Sequence, residues 1–332
     1  MRRLAVRGAL IASALIVFGA CTSAATTAPT PAPTAAPATA APATPAPATV
    51  APATAAPATA APASAAPAPI ASVPAAELAI PGKFIVCSDI PYPPQEFFDA
   101  QGNPTGSDID IGAEIAKRLG LSYEVQNSVF DTIIAAVLGG KCDVVISAQN
   151  ITADRQKQVT MIPFFNAGQA FVVAKGNPKG INTLDDLCGK TIAAETGTTE
   201  VDYLNGTGEY KGQGLSAACV KKGKAAITVK EYVKDSDALL ALVAGQVDSY
   251  FGDAPVTGYY VVQKPDQLEL SPITPVNKAL EGISVAPTKK DLSAAVKAAL
   301  LSMIADGTYG QILKKYGVES GAVTAALVNA GK

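Results

Sequence analysis

The feature that most limits what this chain can fold into is a break in composition near residue 76. From Thr22 to about Ala76 the sequence is almost wholly Ala, Pro, Thr and Ser, in repeating units such as APAT and AAPA. A stretch without large apolar side chains has nothing to offset the entropy of ordering, and its prolines favour extended polyproline II segments. Only residues 77–332 can therefore build a core, and their number suits one large or two small domains. The stretch before them reads as a spacer that reaches up to about 3.1 Å per residue.

Ahead of the spacer, Arg2, Arg3 and Arg7 precede an apolar run from Ala9 to Phe18, and Gly19 and Ala20 lead into Cys21. This is the three-part layout of a secretory signal over residues 1–20. The run Val17–Cys21 resembles a bacterial lipobox, with Phe18 where that pattern prefers Leu. On this reading Cys21 is the lipidated first residue of an extracytoplasmic protein anchored to the cell membrane, and residues 21–76 are its tether. After residue 20 no unbroken apolar stretch of about 18 residues suggests a membrane span.

Composition also excludes several function classes. The formal net charge is -2, and no long Lys/Arg run marks a nucleic-acid partner. There is no histidine, which rules out a Ser-His-Asp triad and removes the commonest zinc ligand. No metal and no cofactor are expected.

Lys83–Ser88 (KFIVCS) is a short apolar run with β character, followed by the stiff, proline-rich loop Asp89–Pro94. Ser107 to Gly120 opens with capping residues, places Ile111, Ile115 and Leu119 on one helical face and stops at glycine. Leu121 to Gln126 reads as a strand, Asp131 to Leu138 as a helix ended by Gly139 and Gly140, and Cys142 to Ser147 as another strand. Such alternation predicts a parallel α/β sheet. Asp237 to Val247 echoes Asp131 to Lys141 in length and in a glycine eight residues after the opening Asp. Two similar α/β units would produce this echo, and so would a single domain.

The segment Ile146–Arg155 (ISAQNITADR) is less generic. It resembles the signature of polar amino-acid-binding proteins of ABC transporters, the family 3 solute-binding proteins. Further blocks follow in the family's order: SDIPYPPQEF, GSDIDIGAEIAKRLG, ETGTTEVDYL, VDSYFGDAPV and ADGTYGQILKKYGV. The resemblance implies an α/β, two-lobed periplasmic-binding-protein-like fold of type II. One lobe would hold residues 77–168 plus 278–332 and the other 169–277, joined by two hinge strands. It also implies a monomer that captures a free amino acid in the cleft between the lobes, closes on it by a hinge motion and docks on an ABC permease.

An amino acid carries a carboxylate and an ammonium on one carbon, so its site needs a fixed cation, a fixed anion and convergent backbone groups. By resemblance, Arg155 holds the ligand carboxylate with its planar fork and Asp253 holds the ammonium. Ala148 and Asn150, with Ser147 beside them, offer backbone groups to both. Thr198 and Thr199 donate to the carboxylate at a helix N-terminus. Tyr92 and Phe130 match the aromatic walls. Asp89, Asp108 and Glu195 fall near the far end of the ligand side chain, which suggests a cationic amino acid first and a polar neutral one second. If Asp89 and Asp108 merely cap local structure, the order reverses.

Apart from Cys21, the four cysteines Cys87, Cys142, Cys188 and Cys219 allow three pairings. The implied lobes put the first two together and the last two together, so one bridge per lobe is expected: Cys87–Cys142 and Cys188–Cys219. The glycine cluster from Gly206 to Gly214 lacks Rossmann or P-loop order and reads as a surface turn. The main rival reading is a cyclohexadienyl dehydratase on the same fold, acting on prephenate or arogenate with Glu195 or Asp89 as a general acid.

Overall fold

The structure is a computed structural model that describes residues 70–330; the secretory signal expected over residues 1–20, Cys21 and nearly all of the Ala/Pro/Thr stretch lie outside the described residues. In chain order the regular elements begin with β1 (Lys83–Ser88), β2 (Phe97–Phe98), β3 (Pro104–Thr105), α1 (Ser107–Arg118), β4 (Ser122–Asn127), α2 (Ile133–Leu138), β5 (Val144–Val145), α3 (Ala153–Gln156) and β6 (Thr160–Ala174). They continue with β7 (Thr191–Glu195), α4 (Thr199–Asn205), α5 (Leu215–Lys221), β8 (Thr228–Tyr232), α6 (Asp235–Val243), β9 (Ser249–Asp253) and α7 (Ala254–Gln263). Last come β10 (Leu268–Leu270), β11 (Val276–Val285), α8 (Lys290–Ala305), α9 (Thr308–Tyr316) and α10 (Ala325–Ala330).

The main sheet runs β4-β1-β5-β11-β6-β9-β7-β8, with β10 paired to β6. Its two ends are alike. At one end β1 lies between β4 and β5, and at the other β7 lies between β8 and β9, all in parallel pairs. The echo in the sequence thus reflects two topologically matching lobes. The acidic residue after each helix has the same task in both: Asp143 accepts the Ile85 N–H at 2.7 Å, and Asp248 accepts the Thr191 N–H at 2.9 Å. Each carboxylate ties its turn to the neighbouring central strand.

The expectation of a parallel sheet holds only within the lobes. β11 pairs antiparallel with β5 and β6, and β6 pairs antiparallel with β9 and β10. β6 and β11 are the long strands through which the lobes connect, and their register shifts twice between Val276 and Gly282.

Strand alternation sorts the core. On β1, Phe84 and Val86 pack with Ile111 and Ile115 of α1, while Ile85 and Cys87 pack on the other face with Ile133 and Val137 of α2. In the second lobe Ile192 and Ala194 of β7 face one cluster, with Val201 and Leu204 of α4, and Ala193 faces another, with Leu239 and Leu242 of α6. On α8 the buried positions Leu292, Ala295, Val296, Ala299, Leu300 and Met303 recur every three to four residues. Each fully buried large aliphatic side chain contributes about 1.5–3 kcal/mol.

Local signals were less exact. α1 is capped by Gly106, at φ 130°, with no side-chain bond, so Ser107 and Asp108 are not its caps. A Cβ at Gly106 would lie 2.1 Å from the Gln95 carbonyl oxygen, which requires glycine at this close approach. The strand expected over Cys142–Ser147 shrinks to Val144–Val145.

Two disulfides form, Cys87–Cys142 and Cys188–Cys219, with Cα–Cα distances of 5.8 and 5.4 Å. Each joins elements within one lobe and leaves the connecting strands unlinked. The second closes a separation of 31 residues. Replacing Cys188 and Cys219 together with alanine is expected to cost about 2–4 kcal/mol of stability. Denaturant unfolding of the variant beside the parent measures it.

Candidate functional site

Parallel strands end together, and in both lobes their carboxyl ends face one cleft. Asp89 and Tyr92 follow β1; Ser147, Ala148 and Asn150 follow β5; Glu195 closes β7 and Thr198, Thr199 and Glu200 begin α4; Asp253 closes β9. Phe130 opens a 3-10 turn after β4, and Arg155 lies on α3. Together with Glu96 these residues line one cavity between the strand ends.

Eleven of the twelve expected positions line this cavity. The exception is Asp108. Its carboxylate is buried beneath the cavity floor, accepting the Ala148 N–H at 2.9 Å and the Ser107 hydroxyl at 3.3 Å. The placement of Asp108 at the far end of a ligand is therefore corrected. It supports Ala148, which has a left-handed φ of 44° and so needs its N–H held from below.

The lobes meet across the cavity through hydrogen bonds. Tyr92 Oη donates to Asp253 Oδ2 at 2.9 Å and accepts the Asp253 N–H at 3.1 Å. Asn150 Nδ2 donates to Thr199 Oγ1 at 2.9 Å, and Gln169 Nε2 reaches the same oxygen at 2.7 Å. Arg155 donates to the carbonyls of Asn150 at 2.8 Å and Gly197 at 3.0 Å, with its guanidinium carbon 5.3 Å from the Phe130 ring centre. Thr198 caps α4 through the Val201 N–H and donates to the Glu195 carbonyl. The turn from Gly206 to Gly214 also belongs to the closure, because Glu209 accepts the Ala153 N–H from the opposite lobe.

Charge in the cavity is one-sided. Arg155 faces five carboxyl groups: Asp89, Glu96, Glu195, Glu200 and Asp253. Burial raises the pKa of all five. Glu200 is pushed up to about 7 by burial. Glu195 is pushed up to about 10, by burial first and then by Asp235 and Asp89. Among the described residues, the buried Asp253 Oδ1, Glu96 Oε2 and Glu200 Oε1 have no hydrogen-bond partner. Buried groups of this kind call for a donor.

Glu96 and Glu200 were not found by sequence reasoning. Glu200 sits directly after Thr199 in the first turn of α4, where an acidic residue is ordinary, and Glu96 lies in the loop after Pro94, where no periodicity points inward.

Similarity to known proteins agrees with this architecture. A family model for bacterial extracellular solute-binding proteins, family 3, matches residues 84–319. The chain belongs to that family. This solute-binding protein is 28% identical over 253 residues to the arginine-binding protein ArgT of Corynebacterium glutamicum, covering 76% of the chain and 80% of that relative. An ancestral arginine-binding protein is 35% identical in two solved structures. The one bound to arginine has a TM-score of 0.62 and covers 71% of this chain and 98% of that one. The one bound to glutamine has a TM-score of 0.63 and covers 72% and 99%. An ancestral amino acid-binding protein described as a precursor of cyclohexadienyl dehydratase is 28% identical, with a TM-score of 0.62 and coverage of 71% and 95%. The fold is the two-lobed, type II periplasmic-binding-protein fold.

The raised carboxyl pKa values have a consequence for stability. A carboxyl group whose pKa is higher folded than unfolded binds more protons in the folded state, so its contribution is present below the unfolded value and is lost as pH rises through the folded one. Glu200, with Asp108 and Asp235 also raised to about 7, crosses that window between about pH 5 and 8. The unliganded protein is therefore expected to melt at a lower temperature at pH 8 than at pH 5.5. Calorimetric melts at the two pH values check the sign.

Proposed function

We propose that the chain is the extracytoplasmic amino-acid-binding subunit of an ABC importer, and that it prefers amino acids with cationic side chains, arginine among them. The observation that carries this reading is the cavity's charge: one guanidinium against five carboxyl groups, three of them with a buried, unpartnered oxygen. In this reading Arg155 takes the ligand carboxylate, Asp253 takes the α-ammonium with its free Oδ1, and Phe130 and Tyr92 enclose the aliphatic stem. Asp89 and Glu195 fall at the end of the cavity assigned to the distal cation. An acidic ligand side chain would add a like charge to this wall, a juxtaposition that costs several kcal/mol. The arginine-binding relative and the arginine-bound ancestral structure support the cationic preference.

Binding rather than catalysis accounts for the residues that dehydratase chemistry would recruit. Asp89 is tied to Lys234 and to the Phe130 N–H, and Glu195 accepts the Asp235 N–H at 3.2 Å. Calorimetry is expected to rank arginine, lysine and ornithine above glutamine, with glutamate weakest, and neither prephenate nor arogenate is expected to be consumed. Arg155→Ala or Asp253→Ala leaves one ligand charge unpaired in a closed cavity. That costs about 3–5 kcal/mol, roughly a hundredfold to several thousandfold in affinity. Glutamine ahead of all three basic amino acids overturns the cationic preference, and a loss below tenfold for Arg155→Ala overturns the assignment of the carboxylate partner.

The same reading makes Cys21 a lipid attachment point and the Ala/Pro/Thr stretch a tether that lets the lobes reach a permease in the same membrane. One acyl chain gives only marginal membrane binding, so more than one is needed for stable anchoring. Cys21→Ser is expected to move the protein from the membrane fraction of its host to the soluble fraction. Recovery of the parent protein in the soluble fraction without detergent overturns the anchor.

A further inference from the structure

Lys234 stands in a poor place for a lysine. It is the N-cap residue of α6 and makes no side-chain capping bond there, although caps favour Ser, Thr, Asp and Asn, and the positive end of the helix dipole disfavours a cation. Its side chain leaves the helix and crosses the cleft. Nζ forms an ion pair with Asp89 Oδ1 of the opposite lobe and donates to the Ser128 carbonyl at 3.2 Å. Among the described residues this is the one ion pair that links the lobes across the cavity. The pair is shielded, with the Asp89 side chain 5% exposed and that of Lys234 25%, so the interaction is screened less than a surface pair.

Asp89 is consequently occupied on both oxygens, since Oδ2 accepts the Phe130 N–H at 2.6 Å. Asp89 lines the cavity, and Lys234 cancels the charge it would present there. Glu195, which comes near Asp89 from the opposite lobe, has its pKa pushed up to about 10 by burial and then by Asp235 and Asp89, which favours its neutral form. A protonated carboxyl group and a neutralised carboxylate suit an uncharged polar side chain, whereas two free carboxylates suit a guanidinium or ammonium.

We propose that Lys234 is a specificity-determining residue: an internal cation that competes with the ligand side chain for Asp89 and so holds the site's preference for cationic over neutral polar amino acids below what its carboxyl groups would otherwise impose. The inference rests on the cavity being an amino-acid site. Closure and selectivity are linked by it, because the lysine reaches Asp89 only when the lobes meet.

The test is the ratio of arginine to glutamine affinity, measured by calorimetry on the full folded domain with intact disulfides for the parent, Lys234→Met and Lys234→Arg. Methionine keeps the stem and removes the charge. The ratio is expected to move toward arginine by about tenfold or more in Lys234→Met. In Lys234→Arg, which keeps a cation, it is expected to stay within about threefold of the parent. If both affinities fall together and the ratio holds, Lys234 is a closure contact only and the proposal is overturned; an unchanged pair of affinities overturns it as well. The parent titrations read the proposed function separately. Glutamine ahead of arginine in the parent, with the ratio still moved by Lys234→Met, removes the cationic preference and leaves the role of Lys234 standing. Binding of neither amino acid by the parent overturns both.

Discussion

The antiparallel pairing of β6 with β11 is the constraint on which the rest of the structure depends. Each strand is long enough to take part in both lobes: β6 pairs with β11 through its first half and with β9 and β10 through its second. Because both lobes hang from one pair of strands, the carboxyl ends of their parallel strands are turned toward each other. Asp89, Ser147, Glu195 and Asp253, at or just after those strand ends, reach the cavity through that placement. The two disulfides respect it, since each lies inside a lobe and neither crosses the connecting pair. A cross-link between lobes would have fixed the one degree of freedom that a two-lobed binding fold uses.

The cavity concentrates carboxyl groups where burial penalises their charge. Asp89, Glu96, Glu195, Glu200 and Asp253 share one small space, and Glu281, buried on β11, adds another raised carboxyl nearby, held by Gln95 Nε2 at 2.7 Å. Such a cluster destabilises the unliganded fold as its members ionise, and a cationic occupant relieves that cost. Stability withheld from the empty state becomes binding free energy in the filled one. This trade is common where a site must discriminate by charge. Lys234 is a partial, built-in form of the same relief, placed on the opposite lobe so that it acts only on closure.

Much of the architecture was legible from residues alone. The apolar run of β1 and the face of α1 carried by Ile111, Ile115 and Leu119, each four residues apart, depend only on what each element buries. The matched turns before Asp143 and Asp248 betrayed the repeated unit, since the same hydrogen bond to a neighbouring strand requires the same residue at the same distance. Where the sequence misled, a local signal was competing with a distant partner. Ser107 and Asp108 look like caps, yet Asp108 is drawn under Ala148 and Gly106 takes the cap. The sheet read as parallel because helices alternate with strands, but β6 and β11 obey no such rule.

By itself the sequence determined the absence of histidine and the cysteine set, and its motif blocks, through their resemblance to a known family, implied the two-lobed class and most residues that line the cavity, because such blocks are properties of neighbours along the chain. Only the tertiary structure decided which carboxyl groups face the cavity and which are already spent. Asp108 turned away, Glu96 and Glu200 turned in, and Asp89 met Lys234, which lies 145 residues further along the chain. Charge at a point in space depends on every group within a few ångströms, and no pattern along the chain encodes a meeting between lobes.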